Sequence, residues 1–300
     1  MLLFIRLVFA IDDYWLKGNT FLKQLIIYAD MEGASGIFDG NHSWLLNGED
    51  EWRMYGRDCI TSDTLAACNA AVDYGIDDIL LYDSHFAGNS EYNIILEKLP
   101  PIVRVFDVPN RCFFWRRIRG QAEQFPFGII TVGQHARYGE PNAYFPHTIQ
   151  SPPIKMLLLN GLHIAEIGCA VLNFNDTPYL ANIGCQSSMK EALELSDNIV
   201  SVPVKDKSKR WEPAPSETYP LIYSGVLKAL EATQLAKVPR IEPPYIFSME
   251  LCDGFIFDLN TAVIWKGSFS LKRAEWTAPS VEIGLELFNN VRSAILKVED

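Results

Sequence analysis

Three short apolar runs constrain this chain most: QLIIYAD at 24–30, IDDILLYD at 76–83, and FGIITV at 127–132, which is followed by GQH. None alternates strictly between polar and apolar residues, which is the pattern of strands buried on both faces of a parallel or mixed sheet. Between the first two runs, ITSDTLAACNAAVDYG (60–75) predicts a helix with Ile60, Leu65, Cys68 and Val72 roughly on one side and Gly75 as its stop. Strand alternating with helix predicts an α/β chain, a parallel or mixed sheet with flanking helices. Ligands of open α/β sheets bind beyond the carboxyl ends of the strands. Asp30, Asp83 to His85, and His135 all fall there.

A strand is expected near 101–106, followed by a poorly patterned stretch at 107–126. KMLLLNG (155–161) and LHIAEIG read as a hairpin turning at Asn160 and Gly161, with a helix beginning near Glu166. A strand at 178–184, a helix at 187–195 and a strand at 198–204 complete this portion. KDKSKRWEPAPSETYP (205–220), charged and then rich in Pro, reads as a linker or excursion, with a helix at 219–236 and antiparallel strands within 259–271. The expected organisation is an N-terminal extension (1–22), an α/β domain (23–204) and a smaller α+β portion (205–300).

The opening MLLFIRLVFAI is interrupted by Arg6 and followed at once by Asp12 and Asp13, so it makes a poor signal peptide and is too short to span a bilayer. No other segment offers about 18 consecutive apolar residues. With 37 acidic against 26 basic residues, a net charge of -11 argues against nucleic acid or an anionic membrane as partner. The six cysteines form no CxxC pair and read as free thiols in a reducing, cytoplasmic setting. GASG (33–36) lacks both the GxGxxG spacing and a GK[ST] ending, and Ser35 and Ser84 lack a G-x-S-x-G elbow.

Asp30 and Glu32 flank Met31 at the end of an apolar strand, where residues i and i+2 face the same side. Two carboxylates this close repel unless a cation or a proton lies between them. They suit a metal, or one of them caps the turn that follows; the pair alone leaves both open. His85 in YDSHFAG and His135 in TVGQHAR occupy equivalent strand ends on the same face. Imidazole mixed with carboxylate suits zinc and related divalent ions better than Mg²⁺ or Ca²⁺. Glu166, among apolar neighbours, should be paired, metal-bound or exposed at a helix start. Five such groups exceed the needs of one tetrahedral ion and point towards two metals sharing a carboxylate. His147, in a loop between Pro146 and Pro152, is either a proton-handling group or a surface histidine. His42 and His163 receive no role.

From about residue 25 to 204 the chain resembles the zinc-dependent D-aminopeptidases of peptidase family M55. YADMEGASG, YDSHFAG, TVGQHAR, FPHT and AEIG stand in the family's order. The resemblance implies metal ligation by Asp30, Glu32, His85, His135 and Glu166, with Asp30 as bridge, two Zn²⁺ per subunit, and His147 as the catalytic residue beside them. It also implies an aminopeptidase that removes the N-terminal residue of short peptides or amino-acid amides by a metal-activated hydroxide. A homo-oligomer, a decamer enclosing its active sites, goes with it. The chain departs from the family at GCQSS (184–188), where an acidic pair is usual, so D-stereoselectivity is less firmly implied than metallohydrolysis. The alternative is a metallohydrolase of the same fold acting on another amide or ester, or on L-peptides.

Overall fold

A computed structural model describes residues 22–40, 49–85, 91–106, 115–149, 152–174, 176–237, 239–262 and 267–298 of the chain. The expected extension up to residue 21, together with His42, lies outside them.

Six strands form a parallel sheet: β1 (Gln24–Ala29), β2 (Asp78–Asp83), β3 (Val103–Val105), β4 (Gly128–Gln134), β7 (Tyr179–Cys185) and β8 (Val200–Lys205), in the order β3-β2-β1-β4-β7-β8. Every residue of β1, β2, β4 and β7 is buried, as the non-alternating runs require. The strand order reverses direction between β1 and β4. A crevice opens at such a switch point, beyond the carboxyl ends of the strands.

One face of this sheet is covered by helix α1 (Arg57–Tyr74), which Gly75 closes in the left-handed conformation, φ 89°. The other face packs towards a five-stranded antiparallel sheet of order β11-β12-β9-β5-β6. That sheet draws the hairpin β5 (Ile154–Leu159) and β6 (Leu162–Ile164) out of the middle of the chain, to lie beside β9 (Tyr245–Leu251), β11 (Gly267–Phe269) and β12 (Arg273–Ala278). Asn160 and Gly161 both have positive φ, which the two-residue hairpin turn demands. Helix α2 (Trp115–Gln121) precedes β4. Helix α3 (Glu166–Leu172) follows the hairpin directly, and helix α4 (Ser188–Leu195) follows β7. The C-terminal region adds β10 (Phe255–Phe257), paired with β13 (Ile295–Lys297), and a helix at Val281–Ser293. Among the described residues no helix is long and apolar enough to cross a membrane.

Three expectations are corrected. The buried side of α1 carries Ala66, Ala67, Ala70 and Ala71 with Ile60 and Cys68, whereas Leu65 is half-buried and Val72 is exposed. This helix packs closely against the helix at Pro215–Glu231 as well as over the sheet, and close packing selects small side chains, so bulk is a poor guide to that face. Residues 205–220 are not a linker throughout. Lys205 ends β8, Asp206 and Trp211 form a bridge, and helix α5 (Pro215–Glu231) starts four residues early. Pro215 takes the first helical position, where its fixed φ and missing N–H cost nothing. Within 259–271 only Gly267–Phe269 is a described strand, and Leu259–Ala262 is a helical turn.

Two glycines let the sheet ends interlock. A Cβ on Gly133, whose φ is +69°, would lie 1.9 Å from the Asp30 carbonyl oxygen, and one on Gly33 would lie 1.9 Å from that of Gln134. Only glycine permits so close an approach. The Gly33 N–H donates to Gly133 O at 2.7 Å, and the Asp30 N–H donates to Val132 O at 2.9 Å. The acidic turn after β1 is thereby pinned against the segment leading to His135.

Candidate metal centre

The register aligns the ends of the three central strands: Ala29 sits opposite Asp83 on one side and Val132 on the other. The residues just beyond therefore share one level. Asp30, Glu32 and His85 converge as one cluster able to hold a metal ion, and His135, His147 and Glu166 as a second. His85 Nδ1 lies 2.8 Å from Glu32 Oε2 and 3.3 Å from Asp30 Oδ1. The other Asp30 oxygen, Oδ2, lies 3.4 Å from His135 Nε2, which is itself 3.5 Å from Glu166 Oε1. Asp30 thus faces both clusters, one oxygen to each.

The histidine tautomers follow from backbone partners. His135 Nδ1 lies 2.9 Å from Ala136 O and His147 Nδ1 lies 3.0 Å from Phe145 O, so each ring donates from Nδ1 and Nε2 is the ring atom turned to the crevice's other groups. The two rings stack, centroids 3.9 Å apart at 11°. His147 Nε2 is 3.7 Å from Glu166 Oε1.

Whether these residues suit a metal is tested by their unsatisfied atoms. Asp30 Oδ2, Glu32 Oε2, His135 Nε2 and Glu166 Oε2 are all buried without a hydrogen-bond partner. Glu32 Oε2 is close to His85 Nδ1, yet the contact lacks hydrogen-bond geometry. Orphaned buried polar atoms are costly and call for an explanation such as an ion. Four of them, mixing carboxylate and imidazole and converging on one crevice, fit divalent metal binding.

The electrostatics agree. Burial opposes a charge on His85, but Glu32 and Asp30 outweigh it and hold the imidazole protonated well above its ordinary range. At His135 burial is likewise overcome, here by Glu166 and then Asp30. Burial and the Glu32 charge push Asp30 up, whereas Glu32 and Glu166 are drawn down against burial, chiefly by His85 and His135 respectively. Without metal, the two protonated histidines contribute stability that is fully present below about 6.5, their unfolded pKa, and lost as pH rises through their raised folded values. A metal must displace those protons, so its affinity weakens as pH is lowered. The rise in Tm on adding Zn²⁺ is therefore expected to be larger at about pH 8 than at about pH 6. Differential scanning fluorimetry checks this, and an equal rise at both values would contradict it.

The supporting residues were the harder part to read from sequence. Asn93 Nδ2 donates to Asp83 Oδ1 and to the His85 carbonyl, both at 2.7 Å, fixing the backbone that carries His85. Glu191, pushed up to about 7 by burial and then by Glu166, accepts from the Ala165 N–H at 2.9 Å, immediately before Glu166. Asp63 and Lys205 hold the turn after β1. Lys205 had a signal, since VSVPVK ends in a charge where the strand is otherwise uncharged. His163, with no assigned role, lies on β6, and burial pulls its pKa down to about 4. The cysteines at 59, 68, 169, 185 and 252 are free and buried.

Comparison with known proteins places this centre in context. The model of the peptidase M55 family, described as D-aminopeptidase, matches residues 24–278. A D-aminopeptidase of Bacillus subtilis (strain 168) is 27% identical over 189 residues, spanning 62% of this chain and 65% of that protein's length. Among solved structures, the Zn-dependent D-aminopeptidase DppA from Bacillus subtilis, described as a self-compartmentalizing protease, superposes with a TM-score of 0.76. It is 19% identical, with 90% of this chain and 97% of that chain covered, a likeness of fold.

Proposed function

This chain belongs to the M55 family of peptidases, and from that premise we propose that it is a dinuclear zinc aminopeptidase releasing the N-terminal residue, preferentially of D configuration, from short peptides or amino-acid amides. The observation that carries the reading is the pair of clusters at the switch point, joined through Asp30 and lined with orphaned buried polar atoms.

Asp30, Glu32 and His85 would hold one ion, and Asp30, His135 and Glu166 the other. Bound divalent ions would supply Lewis acidity towards a carbonyl oxygen and make water acidic enough to ionise near neutral pH. The protein's own contribution is orientation and proton handling. A free amino terminus would bind one of the ions or a carboxylate beside them. His147 keeps its Nδ1 proton on Phe145 O, so Nε2 is the atom that can take up or return a proton as the amine departs. By extension from the self-compartmentalizing DppA, the chain would assemble into a closed oligomer that shelters these sites, a decamer by the family resemblance.

One observation favours a second reading, a metallohydrolase of the same fold acting on another amide or ester, or on L-peptides. At the departure from the family pattern, Cys185 is buried against Ala136 and Ala143, while Gln186 lines an open groove with Glu140, Ser187 and Met189. Recognition there differs in charge from the acidic pair usual in the family.

Both readings meet one experiment. Purified protein is analysed for metal and then assayed on matched D- and L-amino-acid amides and dipeptides, with mass photometry of the same preparation for assembly. About two divalent ions per chain and faster turnover of the D series are expected. Equal or faster turnover of the L series would move the reading to the alternative. Absence of metal, with no activity on adding Zn²⁺, Co²⁺ or Mn²⁺, would sink both.

A further inference from the structure

Lys205 is fully buried, at the end of the sheet's edge strand. Its Nζ donates to the Glu32 carbonyl at 2.6 Å and also to the Ile37 carbonyl. The rings of Phe38, Tyr144 and Phe145 surround it, centroids 5.2 to 5.6 Å away. Among the described residues no carboxylate pairs with it.

The two carbonyls bracket residues 33–36. Inside that bracket the Ser35 N–H and Oγ both donate to Asp63 Oδ2, at 2.9 and 3.1 Å, and Ser35 Oγ lies 2.6 Å from Thr218 Oγ1. A cation from β8 therefore grips the carbonyl side of the turn, and an anion from α1 grips its N–H side. Replacing a buried set of opposite charges by apolar side chains of similar volume is often neutral or stabilising, so stability alone is a weak reason for a buried lysine and aspartate here. The turn has a specific burden, because it holds Glu32 close to Asp30 against their mutual repulsion. Metal ligands need support of this kind to keep their geometry.

We propose that Lys205 and Asp63 are positioning residues, a pair of opposite charges that clamp the 33–36 turn so that Glu32 is presented to the first ion, while Asp30 keeps its own anchor on Val132 O. The inference rests on the metal-centre reading of the same site and adds residues that hold it in shape from beneath.

The test measures ion binding to the full-length protein, with Co²⁺ as probe, by titration against a chelator and by visible absorption. Lys205→Met keeps the side chain's length and loses its donors. The expected result is a folded protein that binds one Co²⁺ normally and the other about 10- to 100-fold more weakly, with a changed absorption band for the weakened ion. Asp63→Asn, which removes the anion with little change of shape, should weaken the same ion by about tenfold. Should Lys205→Met fail to fold, Asp63→Asn decides alone. Wild-type affinity for both ions in the folded variants would overturn the clamp while leaving the metal centre intact. Parallel weakening of both ions together with a lowered Tm would also overturn it, because that marks a general structural role. Failure of the wild-type protein to bind Co²⁺ would instead fall on the metal-centre reading itself.

Discussion

Asp30→Asn is expected to empty both metal positions and abolish turnover while leaving the fold in place. Asp30 is the carboxylate shared by the two clusters, with Oδ1 3.3 Å from His85 Nδ1 and Oδ2 3.4 Å from His135 Nε2. Asparagine keeps the shape, and its oxygen can still accept the Met31 N–H that Asp30 Oδ1 accepts at 2.8 Å. It loses the charge that balances two divalent ions and offers only one oxygen, so it cannot serve both positions. Metal content should fall from about two ions per chain to below one. Turnover should fall by more than the roughly 10- to 100-fold that follows changes to groups supporting a metal ligand. Elemental analysis alongside the amide assay reads both. A variant that keeps two ions would show that Asp30 does not bridge, whatever its activity.

The same residue shows how far the sequence carries. Asp30, His85 and His135 were visible because each ends an apolar run, and the parallel sheet places such ends on one edge. Local pattern is enough there, since burial on both faces leaves strand ends as the natural place for polar side chains. Glu166 was ambiguous for a physical reason. It reaches the crevice from a hairpin belonging to the antiparallel sheet, and no local periodicity reports which sheet a hairpin joins. Lys205 was misplaced because a charged residue followed by Asp206, Lys207 and Pro213 looks like the start of a loop. Its burial depends on Glu32 and Ile37, more than 160 residues away in sequence. The start of α5 was missed because Pro215, read as a loop residue, suits the first turn of a helix.

His147→Ala should behave differently from every ligand variant, keeping both ions and losing turnover by roughly 10²- to 10⁴-fold, the range for removal of a general acid or base. The proximity of His147 Nε2 to Glu166, 3.7 Å, makes it eligible as a ligand on distance alone. Two considerations argue for a proton-handling role. With Asp30 shared, each position already has three protein groups, Asp30, Glu32 and His85 on one side and Asp30, His135 and Glu166 on the other. Three protein ligands with one place open is the arrangement of catalytic rather than structural zinc. Exposure separates the two stacked histidines as well: the side chain of His135 is 2% exposed and that of His147 is 17%. A ring that must exchange protons with water and substrate needs access, and a ligand does not. Metal analysis of His147→Ala decides the matter, because loss of one ion would make His147 a ligand and return the proton transfer to another group at the rim.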